Sequence, residues 1–169
     1  YSDPAEVFDT ILEDKEILKR AKTVTENYDK FNKMALDYTV KGKGDIIELK
    51  RALYLAMVTV NLLEGLRFYI SFACTFAFGE LKLMEGSAKL LSLIARDEAT
   101  HLNLSTHIIK AWQKGDDAEM TKAMKGTDKE VIQMFKNTVE EEKAWAKYLF
   151  KDGSIIGLNE KLLGNYVEW

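Results

Sequence analysis

The sequence contains only one cysteine, Cys74, and only two histidines among its 169 residues. A single cysteine excludes a disulfide bond within the chain. The opening segment YSDPAEVFDT also lacks the basic start and the apolar stretch of a secretory signal peptide. Both absences are typical of a protein in a reducing compartment, and we expect a cytoplasmic location.

The sequence also lacks an excess of either charge, because 27 acidic and 24 basic residues are spread along the chain and leave a net charge of only −3. No broad basic field is present that would attract nucleic acid or an acidic membrane surface. The most apolar run, residues 68–78, is about half as long as the roughly 20 residues that a bilayer-spanning helix requires. We therefore expect no nucleic acid and no membrane as partners.

Residues that interrupt helices are few, with 1 proline and 10 glycines. Apolar residues recur at spacings of three and four, which is the period of an α-helix, and no strand pattern is convincing. The length fits one domain, so we predict a single all-α domain over residues 1–169. The predicted helices cover about residues 4–12, 15–38, 46 to beyond 64, 87–112, 128–150 and 157–169.

Two of these helices have an informative distribution of charge. Residues 52–63 contain no charged side chain, so their helix is apolar around its whole circumference and is predicted to lie in the middle of a bundle. The helix 128–150 instead carries the acidic run Glu140, Glu141 and Glu142. Three adjacent carboxylates predict a solvent-facing surface there.

Two helices also place carboxylates among residues that face a core. In the helix from residue 46, steps of three and four residues give the stripe Tyr54, Met57, Asn61, Glu64, Phe68 and Ser71. In the helix 87–112 they give Ser87, Leu91, Ile94, Glu98, His101, Ser105, Ile108 and Trp112. An unpaired buried carboxylate is costly, whereas a shared cation offsets that cost and keeps the group ionised. The two stripes therefore predict a metal site.

Glu98 and His101 form a Glu-x-x-His pair, whose spacing directs both side chains into the same space. Such a pair, together with one glutamate from another helix, is half of the ligand set of ferritin-like di-iron and di-manganese proteins. Carboxylate oxygens and imidazole suit iron or manganese. A chance match with surface ion pairing is the alternative on spacing alone, and the facing Glu64 favours the metal site.

Three longer stretches resemble consecutive segments of one protein family. They are LLEGLRFYISFACTFAF (62–78), LMEGSAKLLSLIARDEATHL (83–102) and EKAWAKYLFKDGSIIGLNEKLLGNYVEW (142–169). In their order, their spacing and the motif R-D-E-x-x-H-L, the chain resembles the C-terminal part of the small, radical-generating (beta) subunit of class I ribonucleotide reductase. This resemblance implies an all-α, ferritin-like helical bundle of which the chain is about half, and it implies an enzyme that acts in deoxyribonucleotide synthesis.

The resemblance also implies roles for individual residues. The ligands of a site for two iron ions, or for manganese, would be Glu64, Glu98 and His101. Asp97 matches a carboxylate that hydrogen-bonds a metal-bound histidine and a tryptophan on the route of radical transfer. A salt bridge from Asp97 to Arg67 or Arg96 is the alternative. The apolar lining of the radical pocket would be Phe68, Phe72 and Ile94.

The family's ligand set is incomplete in this sequence, which has no second Glu-x-x-His. We expect the remaining ligands to come from the N-terminal half of the small subunit, or from a second copy in a homo-oligomer. The chain would then be a truncation, a split product or part of a longer protein, and inactive by itself. The resemblance further implies the large catalytic subunit of the reductase as a partner.

Three other interpretations are compatible with the helical pattern. The chain could be a self-associating module with a symmetric metal site, or another ferritin-like carboxylate protein such as a di-iron oxidase or desaturase. It could also be a metal-free helical interaction module. The R-D-E-x-x-H-L context and the aromatic run beside Glu64 favour the reductase, while the sequence leaves open whether iron or manganese binds and whether a tyrosyl radical is used.

Overall fold

The computed structural model of the chain describes residues 3–155 and 157–169. Within these residues the backbone forms eight α-helices and one π-helical turn, and the only strand-like feature is a bridge between Ile155 and Leu158. The elements are α1 Pro4–Glu13, α2 Lys15–Lys41, α3 Ile46–Leu62, the π-helical turn Leu63–Arg67, α4 Phe68–Glu80, α5 Glu85–Lys114, α6 Ala118–Met124, α7 Asp128–Leu149 and α8 Glu160–Glu168. The sequence predicted six helices: it treated α3 and α4 as one continuous helix, and it missed α6, which has only seven residues and therefore shows no periodic stripe.

Several helices begin at an aspartate whose side chain accepts hydrogen bonds from the first backbone N–H groups. Asp14 caps α2, Asp45 caps α3 and Asp117 caps α6. At the other ends, Gly42 after α2 and Gly115 after α5 adopt left-handed backbone conformations with φ of 60° and 92°. Glycine adopts this conformation at little cost, so both helices stop where the sequence predicted a break.

Helix α3, which carries no charge from Ala52 onward, lies at the centre of the fold, as the uncharged residues 52–63 predicted. Its buried residues pack against α6, and α2, α5 and α7 complete the surrounding layer. The buried members of this first cluster are Tyr54, Leu55, Val58, Leu62, Met120 and Ala123. A second cluster joins α4, α7 and α8 and consists of Ile70, Ala146, Leu163 and Val167. The π-helical turn lies between the two clusters, so it is packed on more than one side.

Across residues 3–155 and 157–169, we find no helix whose length and apolarity would let it span a membrane.

Helices α4 and α5 approach each other very closely at Gly79. A Cβ atom added there would lie 2.7 Å from the Cβ of Ala88, a rigid neighbour that could only move with its helix. We therefore expect Gly79→Ala to lower the free energy of unfolding by about 1–3 kcal/mol through overpacking. Gly86→Ala in α5 is the matched control, because no atom of the described residues, apart from its immediate neighbours in the helix, lies within 4 Å of the added Cβ. This control should raise stability by about 0.5–1 kcal/mol, and equal effects of the two substitutions in urea denaturation would contradict the close approach.

The start of α2 is tied to α7 by the hydroxyl of Tyr148, which donates a hydrogen bond to the Asp14 carboxylate. This bond, followed by the backbone N–H of Ile17, lowers the pKa of Asp14 below its usual value. A carboxyl group whose pKa is lower in the folded state stabilises the fold above its unfolded pKa, and that stabilisation is lost as the pH falls through the folded pKa.

Tyr148→Phe should therefore lower the urea midpoint near neutral pH, and the difference from the wild type should shrink as the pH falls from about 7 to about 3. Tyr38→Phe is the control, because Tyr38 is exposed. A Tyr148→Phe deficit that is the same at every pH would show that Asp14 does not carry the effect.

Candidate metal centre

The π-helical turn presents Glu64 at the point where α3 passes into α4. Its defining hydrogen bond runs from the N–H of Phe68 to the carbonyl of Leu63, so the turn holds one residue more than an α-helical turn. The extra residue rotates everything that follows by about 100°. The predicted stripe is therefore wrong beyond the turn, since Ser71 is exposed whereas Phe72 is buried.

The side chain of Glu64 lies close to those of Glu98 and His101, which are one turn apart on α5. The Nδ1 atom of His101 lies 3.3 Å from Oε2 of Glu98 and 3.8 Å from Oε1 of Glu64. One donor atom from each of the three side chains lies within 4.8 Å of the other two. The structure thus brings together the three residues that spacing and family resemblance singled out.

The two carboxylates of this cluster are shielded from solvent, whereas the imidazole is open. The side chains of Glu64 and Glu98 are 15% and 16% exposed, and that of His101 is 55% exposed. The stripe along α5 predicted a buried His101, which is wrong for this chain because its own described residues cover only one side of the helix. Any further ligand would therefore reach the cluster from the open side.

The carboxyl group of Glu64 is largely buried and is only partly compensated by the described residues around it. Burial raises the pKa of its carboxyl group, and the charge of Glu98 raises it further, while His101 opposes the shift. Its Oε2 atom is buried, and no group among residues 3–155 and 157–169 donates a hydrogen bond to it. A cation held between the two carboxylates would supply the missing partner and offset the cost of burying their charge. The donor set of two carboxylates and one imidazole suits iron or manganese.

The π-helical turn packs closely against α5. A Cβ atom added at Gly65 would lie 2.8 Å from Cδ1 of Leu102. One turn earlier, Nδ2 of Asn61 donates hydrogen bonds to Oγ of Ser105 at 3.1 Å and to Oγ1 of Thr106 at 2.9 Å. The backbone around Glu64 is therefore held directly against the helix that carries Glu98 and His101.

The other residues singled out by resemblance lie around the cluster rather than in it. Asp97 is largely exposed, and its Oδ1 atom lies 3.7 Å from Nε of Arg96, which is the salt-bridge alternative considered for it. The rings of Phe68 and Phe72 lie 6.0 Å apart between centroids, and Phe72 is buried. Ile94 is exposed on α5. Among the described residues, the group of donor atoms that could share a metal ion does not include Asp97.

The sequence did not predict an ionic network that joins the π-helical turn to α2 and α7. Glu142 is 0% exposed and forms ion pairs with Arg20 and Arg67, so the prediction that the acidic run is a solvent-facing surface is wrong for this residue. A signal was available, because Val139 precedes Glu142 by three residues and the buried Ala146 follows it by four. That spacing places Glu142 on the apolar face of α7.

Tyr28 on α2 is a second residue near the site that sequence reasoning did not single out. Burial raises the pKa of its hydroxyl, and the negative charge of Glu64 raises it further. Tyr28 therefore lies close enough to Glu64 to interact with its charge.

Comparison with known proteins places this geometry in a family. The model of the family "Ribonucleotide reductase, small chain" matches residues 1–169. The chain is 46% identical to the ribonucleoside-diphosphate reductase subunit beta of Haemophilus influenzae and 44% identical to the ribonucleoside-diphosphate reductase 1 subunit beta of Salmonella typhimurium. It is 36% identical to the subunit beta of phage T4.

These alignments cover 99% or 100% of the chain but only 48% or 49% of each relative, so the chain spans about half the length of the relatives it matches. The helical architecture agrees with the all-α, ferritin-like fold that the resemblance implied. The chain therefore belongs to the small-chain family of ribonucleotide reductase.

Proposed function

We propose that this chain contributes half of the di-metal carboxylate site of a ribonucleotide reductase small subunit. Glu64, Glu98 and His101 are its metal ligands. The observation that carries the proposal is the meeting of three donor atoms within 4.8 Å, together with a buried oxygen of Glu64 to which none of the described residues donates a hydrogen bond. A ferritin-like site draws a glutamate and a Glu-x-x-His pair from each half of its bundle, so these three residues are one such half.

The metals are two iron ions, with manganese as the alternative, since both accept the same oxygen and nitrogen donors. When bound, they supply the one-electron chemistry that activates oxygen and generates the radical used to make deoxyribonucleotides. The chain's own residues hold and orient this site. Glu64 and Glu98 provide shielded carboxylates, and His101 provides an imidazole whose Nδ1 atom faces them.

The surrounding residues have supporting roles in this proposal. Asp97 hydrogen-bonds a metal-bound histidine and so belongs to the route of radical transfer. The apolar side chains of Phe68, Phe72 and Ile94 exclude water from the radical pocket. Ile94 and Asp97 are exposed in the chain by itself, so both roles require that further residues cover the open side of α5.

That open side indicates which partner completes the site. Four large apolar residues are exposed along α5 on both sides of the cluster: Leu90, Leu93, Ile94 and Leu104. Exposed apolar area of this kind marks an interaction surface. The partner is the remaining part of the small subunit, which brings the second set of ligands. The completed subunit then acts with the large catalytic subunit.

Reconstitution tests this proposal. The chain is mixed with the part of the Haemophilus influenzae subunit that it does not match, and iron and oxygen are added. We expect the mixture to bind iron and to give the electron paramagnetic resonance signal of a tyrosyl radical, and we expect neither component to do so alone. A mixture that binds no more iron than one made with His101→Ala would contradict the proposal.

A second candidate, a symmetric site between two copies of this chain, is favoured by the same open face. Two copies would supply four carboxylates and two histidines, which is the number that the ferritin-like ligand set requires. Sedimentation of the chain alone with Mn²⁺ separates the two candidates. A metal-dependent dimer supports the symmetric site, and a monomer that binds no Mn²⁺ excludes it.

A further inference from the structure

The two ends of the π-helical turn Leu63–Arg67 face two different neighbouring helices. Glu64 near its start meets α5, while Arg67 at its end is buried and faces α7. A turn with one extra residue is less favourable than a regular α-helix and persists only where its surroundings hold it. The contacts around Arg67 are therefore part of what fixes Glu64.

Arg67 takes part in an ionic cluster whose central carboxylate, Glu142, is fully buried. Its Nη1 atom lies 3.2 Å from Oε1 of Glu142, and its Nη2 atom lies 2.5 Å from Oε2 of Glu141. Glu142 also receives two hydrogen bonds from Arg20 of α2, from Nε at 2.9 Å to Oε1 and from Nη2 at 3.0 Å to Oε2. Both oxygens of the buried carboxylate are thus bonded, and the two glutamates balance the two arginines in charge.

Arg20 connects this cluster directly to the backbone of the turn. Its Nη2 atom also donates a hydrogen bond of 2.6 Å to the carbonyl oxygen of Arg67, the last residue of the turn. The guanidinium group lies over the ring of Trp145, 5.2 Å from its centroid, which restricts it further. A planar guanidinium can make these bonds together, whereas a lysine ammonium cannot form the bidentate pair.

We propose that Arg20, Arg67 and Glu142 form an ionic clamp that keeps the turn in its π-helical form and thereby positions the Glu64 carboxylate. Arg20 bonds the backbone at the end of the turn, and Glu142 holds both arginines in place. If the turn relaxed to a regular α-helix, the residues on its two sides would rotate relative to each other by about 100°. Glu64 and Arg67 could then no longer face α5 and α7 at once.

Fold stability alone does not account for this arrangement. A buried ion pair costs so much desolvation that apolar residues of similar size often serve stability as well or better. Directional bonds to a carbonyl and a carboxylate fix geometry in a way that apolar contacts do not. The clamp is therefore a positioning device, and its three members are positioning residues rather than ligands.

The test replaces the clamp with apolar side chains in the 169-residue chain, using the triple variant Arg20→Met, Arg67→Met and Glu142→Leu. We expect the variant to stay helical by circular dichroism but to lose amide hydrogen-exchange protection over residues 63–71. In the assembly described above, we expect its Mn²⁺ affinity to fall by about 10- to 100-fold, the size of effect seen when a group that orients a ligand is lost. The expected loss of Mn²⁺ affinity rests on the proposed function, whereas the expected loss of amide protection does not.

The matched control is the exposed pair between Arg51 of α3 and Glu130 of α7, which also joins two helices. Replacing both with Gln should leave the exchange of residues 63–71 and the Mn²⁺ affinity unchanged. If the triple variant does not fold, Arg20→Lys is used instead. It keeps the positive charge but cannot form the bidentate bonds of the guanidinium, and it should still speed amide hydrogen exchange in residues 63–71.

Unchanged protection of residues 63–71 in a folded clamp variant would overturn the clamp. Unchanged Mn²⁺ affinity in an assembly whose wild type binds metal would overturn the positioning of Glu64. A wild-type assembly that binds no Mn²⁺, together with faster exchange in the variant, would support the clamp and reject the proposed function.

Discussion

Glu142→Ala is expected to lower the free energy of unfolding by about 3–5 kcal/mol, because it removes the buried carboxylate that pairs with both Arg20 and Arg67 and leaves only Glu141 to compensate their charges. Glu142 is 0% exposed, and the guanidinium groups of Arg20 and Arg67 both point at its carboxylate. Urea denaturation followed by circular dichroism at neutral pH measures the effect.

The control for this prediction is Glu130→Ala, which removes a glutamate from the same helix α7. Glu130 pairs with Arg51 at 3.3 Å, but both side chains are exposed. Such a pair contributes about 0–1 kcal/mol, since water screens it and the side chains lose entropy on pairing. If the two substitutions cost the same, Glu142 would not be the buried partner that the structure describes.

The fold could be predicted from the sequence because its helices are long and amphipathic. In α3 the uncharged residues 52–63 indicated a central position, and α3 does supply most of the first core cluster. Helix α6 was missed because seven residues are too few for a period to show, and its start is fixed by the cap Asp117 and by the burial of Met120. The cap is local to α6, but the burial of Met120 depends on packing against α3, which local spacing does not show.

The candidate site could be predicted in part. Glu98 and His101 are neighbours on one helix, so their spacing alone brings them together. The stripe beyond Glu64 failed, because a π-helical turn depends on packing at both of its ends and leaves no mark on the local period. Glu142 was misread for a related reason. Its neighbours Glu140 and Glu141 made it look like part of a solvated run, while the two arginines that pair with it lie more than 70 residues away in sequence.

Glu64→Ala and His101→Ala are each expected to weaken metal binding more than the clamp variant does. Each removes a donor atom, so the loss should exceed the about 10- to 100-fold change typical of removing a group that only orients a ligand. Mn²⁺ binding to the assembly with the complementary polypeptide, followed by electron paramagnetic resonance of the free ion, gives the affinity.

The chain offers a control for each substitution. His107 is the only other histidine, lies on the same helix as His101 and is exposed, so His107→Ala tests the removal of an imidazole outside the cluster. Glu140 is an exposed glutamate on α7, so Glu140→Ala tests the removal of a carboxylate. Neither control should change the affinity for Mn²⁺, and an equal loss in the two histidine variants would contradict the assignment of His101.

A further substitution, Glu64→Leu, separates a ligand from a residue that only supports the fold. The buried Oε2 of Glu64 receives no hydrogen bond from the described residues, and burial raises the pKa of the carboxyl group, so in the metal-free chain the carboxylate is a cost to stability. An apolar side chain of similar size should therefore leave the urea midpoint of the metal-free chain unchanged or raise it. The same substitution should abolish high-affinity Mn²⁺ binding. Because a structural role predicts a loss of stability and a ligand role predicts a loss of metal, Glu64→Leu would refute the metal site if it destabilised the chain but left the affinity intact.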